Sequence, residues 1–213
     1  MRRLGLGALT VVTLAACQGD KPGQAAAGAQ ASATARKTQR CGAAGVSTVI
    51  DSAGIGPVLR GERIAALAMR CAVTDTALTL SEGVAERAHV VSVGDRPLVV
   101  LTTGTPDTSI IRVIALDPVF KTAGGVGVGS SVQSLRLAHG SLCAAQGEGT
   151  FVVMAAGLPG VSFAIDWAPP PSRDPAVAET PFPGGNPGTA LDVARITKAW
   201  VHGVSGACRV GVA

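Results

Sequence analysis

The sequence predicts an α+β fold of two tandem repeats, each a short helix followed by a three- or four-stranded antiparallel sheet. Three observations carry that expectation. A six-residue pattern occurs twice, as Val49-Ile50-Asp51-Ser52-Ala53-Gly54 and as Val119-Phe120-Lys121-Thr122-Ala123-Gly124. Each copy leads through a Gly/Val-rich turn to a second shared segment, Gly61-Glu62-Arg63-Ile64-Ala65-Ala66-Leu67 in one and Gly129-Ser130-Ser131-Val132-Gln133-Ser134-Leu135 in the other. Strand ends further on also match, Ile114-Ala115-Leu116-Asp117 against Phe163-Ala164-Ile165-Asp166. Agreement at several levels marks repeated units, each too small to bury its own apolar face alone.

The elements follow in order. The segments led by Gly61 and Gly129 start the helices. In the second copy Ser130 caps the helix and Gln133 completes a capping box. Ile64, Leu67 and Ala68 share one helical face in the first copy, and Val132, Leu135 and Leu137 approximate it in the second. Strands are expected over 76–80, 88–93, 97–103 and 110–116, with turns at Gly94-Asp95 and over 104–107. In the second copy they are expected over 150–155, 161–167 and 195–201. Residues 168–190 hold seven of the thirteen prolines. Proline cannot supply ladder N–H groups, so this stretch reads as a surface loop. The repeats then run from about 49 to 118 and from 119 to 203, inside a single domain spanning 41–213.

The N-terminus has a different character. Arg2 and Arg3 precede an uncharged, mostly apolar run over residues 4–16, which ends Leu14-Ala15-Ala16-Cys17. Thirteen residues are too few to span a bilayer as a helix, which needs about 20, but they suit a signal peptide. The Leu-Ala-Ala-Cys end resembles the bacterial lipobox. That resemblance implies cleavage after residue 16, lipid on Cys17, and, with Gln18 rather than Asp in the next position, an outer-membrane anchor facing the periplasm. Residues 17–40 contain Ala, Gly, Gln, Ser and Thr and no core-forming run, so they read as a lipidated flexible tether. A random coil of this length reaches about 25–30 Å. Arg36, Lys37 and Arg40 read as its solvated end.

Composition limits the function classes. Removing residues 1–16 takes away two of the 18 basic residues, which leaves 16 against 14 acidic ones, a net charge of +2. That balance does not mark a nucleic-acid binder. Tyr is absent, and Trp167, Trp200 and four Phe are the whole aromatic stock. Trp167 and Trp200 are therefore the candidates for a binding surface. Trp200 is the better one, because strand alternation places it outside the core. Besides Cys17, four cysteines remain: Cys41, Cys71, Cys143 and Cys208. In an oxidising compartment an even number reads as two disulfides. Three pairings are possible. One staple per repeat, Cys41–Cys71 with Cys143–Cys208, is the expectation. No C-x2–4-C spacing or His cluster suggests a metal.

Catalytic patterns are not evident. The glycine-rich run 124–129 lacks the Gly-Lys-Ser/Thr of a phosphate loop and reads as a strand-to-helix turn. No G-x-S-x-G occurs. His139 lies four residues before Cys143, but an oxidised Cys143 is no nucleophile. His89 and His202 read as surface or half-buried strand residues. Asp51, Asp117 and Asp166 read as turn residues at strand ends.

The helix-plus-sheet unit, used twice, is similar to the β-lactamase-inhibitor-protein-like architecture, which the small lipoprotein of the outer-membrane β-barrel assembly machine shares. This resemblance implies a binding or scaffolding module. The expectation is a lipid-anchored, non-enzymatic envelope protein without cofactor, held on the membrane through Cys17 and partnered by another protein rather than by nucleic acid. The alternatives are an envelope-acting enzyme with an unidentified site and an inhibitor module.

Overall fold

Which strands sit at the centre of a sheet follows from how many of their residues are apolar. Ile196-Thr-Lys-Ala-Trp-Val201 and Ile110-Ile-Arg-Val-Ile-Ala115 end in three consecutive buried residues, and Val161–Ile165 is buried throughout. Strands like these need cover on both faces. Ala72–Thr79, with three Thr and one Asp, is almost wholly exposed and forms an edge.

The computed structural model describes residues 36, 39–79, 83, 85–103, 108–147, 150–168 and 186–203. The leader 1–16, Cys17, most of the tether, Cys208, the 104–107 turn and residues 169–185 of the Pro-rich loop lie outside them. Among the described residues the protein is a mixed α+β structure of two sheets and two short helices. The elements are β1 (Val49–Asp51), β2 (Gly54–Ile55), β3 (Val58–Leu59), α1 (Ile64–Ala68), β4 (Ala72–Thr79), β5 (Ala85–Val93), β6 (Arg96–Thr102) and β7 (Ile110–Ala115). Then come β8 (Lys121–Thr122), α2 (Val132–His139), β9 (Leu142–Gly147), β10 (Thr150–Ala155), β11 (Val161–Ile165) and β12 (Ile196–Val201).

The large sheet is antiparallel throughout and runs β4-β5-β6-β7-β12-β11-β10-β9. Two four-stranded meanders thus meet last strand to last strand. At the seam Val113 pairs with Val201, Ile114 with Trp200 and Ala115 with Ala199. The small sheet runs β3-β2-β1-β8, with β1 and β8 parallel, so the two copies of the six-residue pattern touch. They do so with Val49 opposite Lys121, two residues out of step.

The helices are fixed by the same three backbone bonds. Gly61 N–H donates to Ile110 C=O (2.7 Å), Ile110 N–H to Glu62 C=O (2.8 Å) and Ile64 N–H to Thr108 C=O (3.1 Å). Gly129 N–H donates to Ile196 C=O (2.8 Å), Ile196 N–H to Ser130 C=O (2.9 Å) and Val132 N–H to Ala194 C=O (3.0 Å). Gly61 and Gly129 have φ of 78° and 85°, a region glycine enters without strain. Leu67 and Leu135 are both fully buried in the main core.

Several expectations need correction. The N-cap of α2 is Ser131, whose Oγ accepts from Ser134 N–H at 3.1 Å; Ser130 Oγ instead accepts from Gly127 N–H. The helix starts at Val132, so Val132 and Leu135 face inward, while Leu137 points to solvent and is 82% exposed. Ala68 is exposed too, because α1 ends there and only Leu67 is drawn inside. The strand β9 was not expected at all, since its Leu-Cys-Ala-Ala-Gln-Gly sequence has no β-branched residue. Arg36, assigned to the tether, is 8% exposed and docked on the fold: its Nη2 lies 3.0 Å from Asp51 Oδ1, and its Nη1 donates to Val49 C=O.

Candidate functional site

The large sheet has two unlike faces. One carries Val91, Leu98, Val100, Val113, Val153, Phe163 and Ala199, and onto it pack α1, α2 and the small sheet. The other carries a separate cluster of Ala88, Leu101, Ile114, Val152, Ala164 and Trp200, with Leu78, Val99, Ala145 and Met154 beside it. Every member of this second cluster is a strand residue. Cross-strand register sets one row across it. Val99 lies opposite Ile114, Ile114 opposite Trp200, and Trp200 opposite Ser162; on the far side Met154 lies opposite Cys143. Lys198, on the same face of β12, places Nζ 5.9 Å from the Trp200 ring centroid, within cation–π range. The row thus joins apolar area to a cationic rim.

Three polar constellations are built between strands. His202 Nε2 lies 2.6 Å from Ser162 Oγ, and His202 Nδ1 lies 2.7 Å from Gly203 C=O. A carbonyl only accepts, so Nδ1 carries the proton and Nε2 accepts the serine hydroxyl. This is a serine–imidazole pair, but Ser162 is 3% exposed and sealed at its strand position. On β4, β5 and β6, Asp75 Oδ1 lies 2.8 Å from His89 Nδ1, and His89 Nε2 lies 3.4 Å from Thr102 Oγ1. The order is acid, imidazole, hydroxyl, yet 3.4 Å is long for a hydroxyl bond. The group bridges three strands, from buried His89 and Thr102 out to Asp75, which is exposed at the sheet edge. His89 is buried, not on the surface or half-buried as expected. At the end of α1, Arg70 Nη2 bonds Glu62 Oε2 at 2.6 Å and Pro57 C=O at 2.8 Å, and Arg70 Nη1 bonds Gln39 C=O at 2.9 Å. The sequence reading missed this clamp; the one available signal was a charged pair flanking an apolar helix.

The other singled-out residues fall as follows. Cys41 and Cys71 form a disulfide, as expected. Cys143, buried on the second face of β9, is also disulfide-bonded, and its expected partner Cys208 lies outside the described residues. Trp200 lies on the second face, outside the main core as alternation implied, but is only 7% exposed. Trp167 packs against the main core, edge-on to Phe151 with centroids 4.8 Å apart. His139 does not approach Cys143 as a base; its Nε2 shares a hydrogen bond with Thr122 Oγ1 at 2.7 Å, and burial lowers its pKa from the ordinary 6.5. Asp51 and Asp117 take the turn role, accepting the N–H groups of Ala53 and Val119 two residues on; Asp166 instead accepts the N–H of Arg195 and ties the end of β11 to the start of β12. In the glycine-rich run the N–H groups of Gly125, Gly127 and Gly129 go to Thr122 C=O, Ser130 Oγ and Ile196 C=O. The donors a phosphate needs are therefore already used, and a side chain at Gly127 would collide with Phe120 C=O, 2.2 Å from its Cβ.

No protein-family model matches the sequence, and no curated protein matches it either. Among solved structures the chain is similar to the uncharacterized protein YfeY from Escherichia coli, at 19% identity and a TM-score of 0.49, over 73% of this chain and 99% of that one.

Proposed function

We propose that the mature chain is a lipid-anchored protein of the bacterial envelope, held through Cys17 at the outer membrane, that binds another protein without catalysis. The observation that carries the reading is the second face of the large sheet. There half-buried Val99, Met154 and Lys198 flank buried Ile114 and Trp200, on the face that the helices and small sheet do not pack against. The Cys41–Cys71 disulfide supports export, since such bonds persist in oxidising compartments. The leader and the Leu14-Ala15-Ala16-Cys17 end supply the anchor.

The same proposal takes residues 49–118 and 119–203 as two copies of one helix-plus-sheet unit, similar to the β-lactamase-inhibitor-protein-like architecture. Support comes from the three matching backbone bonds at Gly61 and Gly129, from Leu67 and Leu135, and from identical burial patterns along β7 and β12. It also comes from the seam, where adding 86 to each residue of β7 exchanges the pairs Val113–Val201 and Ala115–Ala199 and returns Ile114–Trp200 to itself.

The test combines address and surface. Palmitate-analogue labelling should mark the wild type and not Cys17→Ser. A photo-crosslinking residue at Lys198 should give one discrete adduct in cells, lost in Cys17→Ser. The same residue at Leu137, exposed on α2 against the opposite face, should give none. An unlabelled Cys17, or equal adducts from both positions, would overturn the reading.

A further inference from the structure

We propose that β4 is a dimerisation edge: a second copy of the chain lays its own β4 antiparallel to this one, centred on Thr76, and the large sheet runs on through both copies. The proposal does not rest on the anchor at Cys17.

The edge is open. Among the described residues β5 is the neighbour of β4, and six of the eight β4 residues are exposed. An edge strand offers a row of N–H and C=O groups to any other strand, and proteins blunt it with lysine, proline, bulges or cover. Ala-Val-Thr-Asp-Thr-Ala-Leu-Thr has neither lysine nor proline, and its register with β5 runs unbroken from Ala72–Ser92 to Thr79–Ala85. The other edge of the sheet differs, because β9 buries Leu142, Cys143 and Ala144.

Register identifies the occupant. Antiparallel copies of one strand are related by a two-fold axis perpendicular to the sheet, so each residue lies opposite one from its own face. The axis must then pass between two copies of the same residue. At Asp75 it would set two carboxylates opposite each other, which is destabilising. At Thr74 or Ala77 the eight-residue strand forms only five rungs, and farther out fewer still. At Thr76 it forms seven, from Val73 to Thr79, with Thr76 opposite Thr76, Leu78 opposite Thr74 and Asp75 opposite Ala77.

Charge favours the same register. Ala77 lies opposite Arg87 on β5. Arg87 is exposed and has no ion-pair partner among the described residues. The second copy's Asp75 enters one row with Ala77 and Arg87, two strand spacings or about 10 Å from Arg87 along the backbone ladder. The small Ala77 leaves the guanidinium room to reach the carboxylate. Asp75 Oδ1 takes His89, which leaves Oδ2 for this contact. Symmetry forms the pair twice. The perpendicular axis also keeps both small sheets, each with Arg36 docked on it, on one side of the joined sheet. Two chains rooted in one membrane need that arrangement.

The experiment uses the full-length protein in its own membranes. Thr76→Cys under mild oxidation should give a disulfide-linked dimer that reduction dissolves. Thr74→Cys should give none, because its two copies lie about 14 Å apart, beyond the roughly 7 Å that a disulfide tolerates. Arg87→Glu added to Thr76→Cys should lower the dimer yield severalfold, and Asp75→Lys added to both should restore it. Sedimentation of the purified wild type and of Thr76→Lys, dimer and monomer respectively, gives a readout free of new thiols. Equal crosslinking at positions 74 and 76, an adduct with a different protein at Thr76→Cys, or a monomeric wild type would overturn the edge. A dimer crosslinked at Thr76→Cys together with an unacylated Cys17 would support the edge and sink the anchor instead.

Discussion

Ile114 lies directly opposite Trp200 where β7 meets β12, at the midpoint of the single strand pairing that joins the two meanders of the large sheet. Their side chains share the second face and both are buried there. The pair is therefore a rivet between halves as well as part of the candidate binding row. Trp200→Ala should cost about 3–5 kcal/mol, as large aromatic truncations do. A double-mutant cycle with Ile114→Ala should show coupling of about 0.5–3 kcal/mol. Additive effects in urea denaturation would mean that the two side chains do not work as a unit.

Leu67 and Leu135 are both fully buried and hold α1 and α2 to the main core. Leu→Ala at either should destabilise the fold by about 2–5 kcal/mol. Leu137→Ala, two residues along α2 and exposed, should stay within about 0.5 kcal/mol of wild type. A large loss at Leu137 would mean that the inward face of α2 is wrongly assigned.

Arg70 is the only counter-charge bonded to Glu62 among the described residues, and the pair is nearly sealed from water. Arg70→Ala leaves a carboxylate buried without a partner and should cost about 3–5 kcal/mol. Adding Glu62→Gln should restore part of that loss, because a neutral amide tolerates burial better. Thermal melts of the single and double variants decide it.

His139 links stability to pH. Burial holds its folded-state pKa below the ordinary 6.5. Between those two values the unfolded chain binds a proton that the folded one refuses, so stability is full above 6.5 and falls as the pH drops through 6.5 toward the folded value. His139→Gln, which keeps a polar group near Thr122, should flatten this part of the profile. Urea titrations from about pH 8 to about pH 5 measure it; an unchanged slope would remove His139 as its source.

The Cys41–Cys71 bond closes a loop with a sequence separation of 30. Replacing both cysteines by Ala should cost about 2–4 kcal/mol, chiefly through the freer unfolded chain. A loss well below that range would mean that the reduced chain keeps this loop closed without the bond.

Local patterns made much of this legible in advance. Gly61 and Gly129 were readable as leading into the helices from the repeated Gly-x-x-Ile/Val-x-x-Leu segment, and Leu67 and Leu135 from helical spacing, though the helices themselves begin at Ile64 and Val132. Most strands of the large sheet were placed within a few residues because Val and Ile alternate along them. What stayed hidden depends on register. Asp75, His89 and Thr102 sit 13 and 14 residues apart in sequence, and nothing but the pairing of β4, β5 and β6 brings them together. A slip of one residue would turn any of them to the other face. Alternation told which face Trp200 would take, but not that it would be buried there. The Arg36–Asp51 bond was illegible for a related reason: a polar tail shows no pattern that marks the one residue that docks.

The Cys41–Cys71 bridge also fixes how the protein answers mechanical force. A pull along the chain from its N-terminal side first meets Arg36 on Asp51 and then Cys41. From Cys41 the tension passes through the sulfurs to Cys71 and the start of β4. Residues 42–70, which hold β1, β2, β3 and α1, are shunted out of the path. Once the Arg36–Asp51 bond at the end of β1 has parted, the short strands therefore carry little of the load, and the eight-stranded sheet takes it.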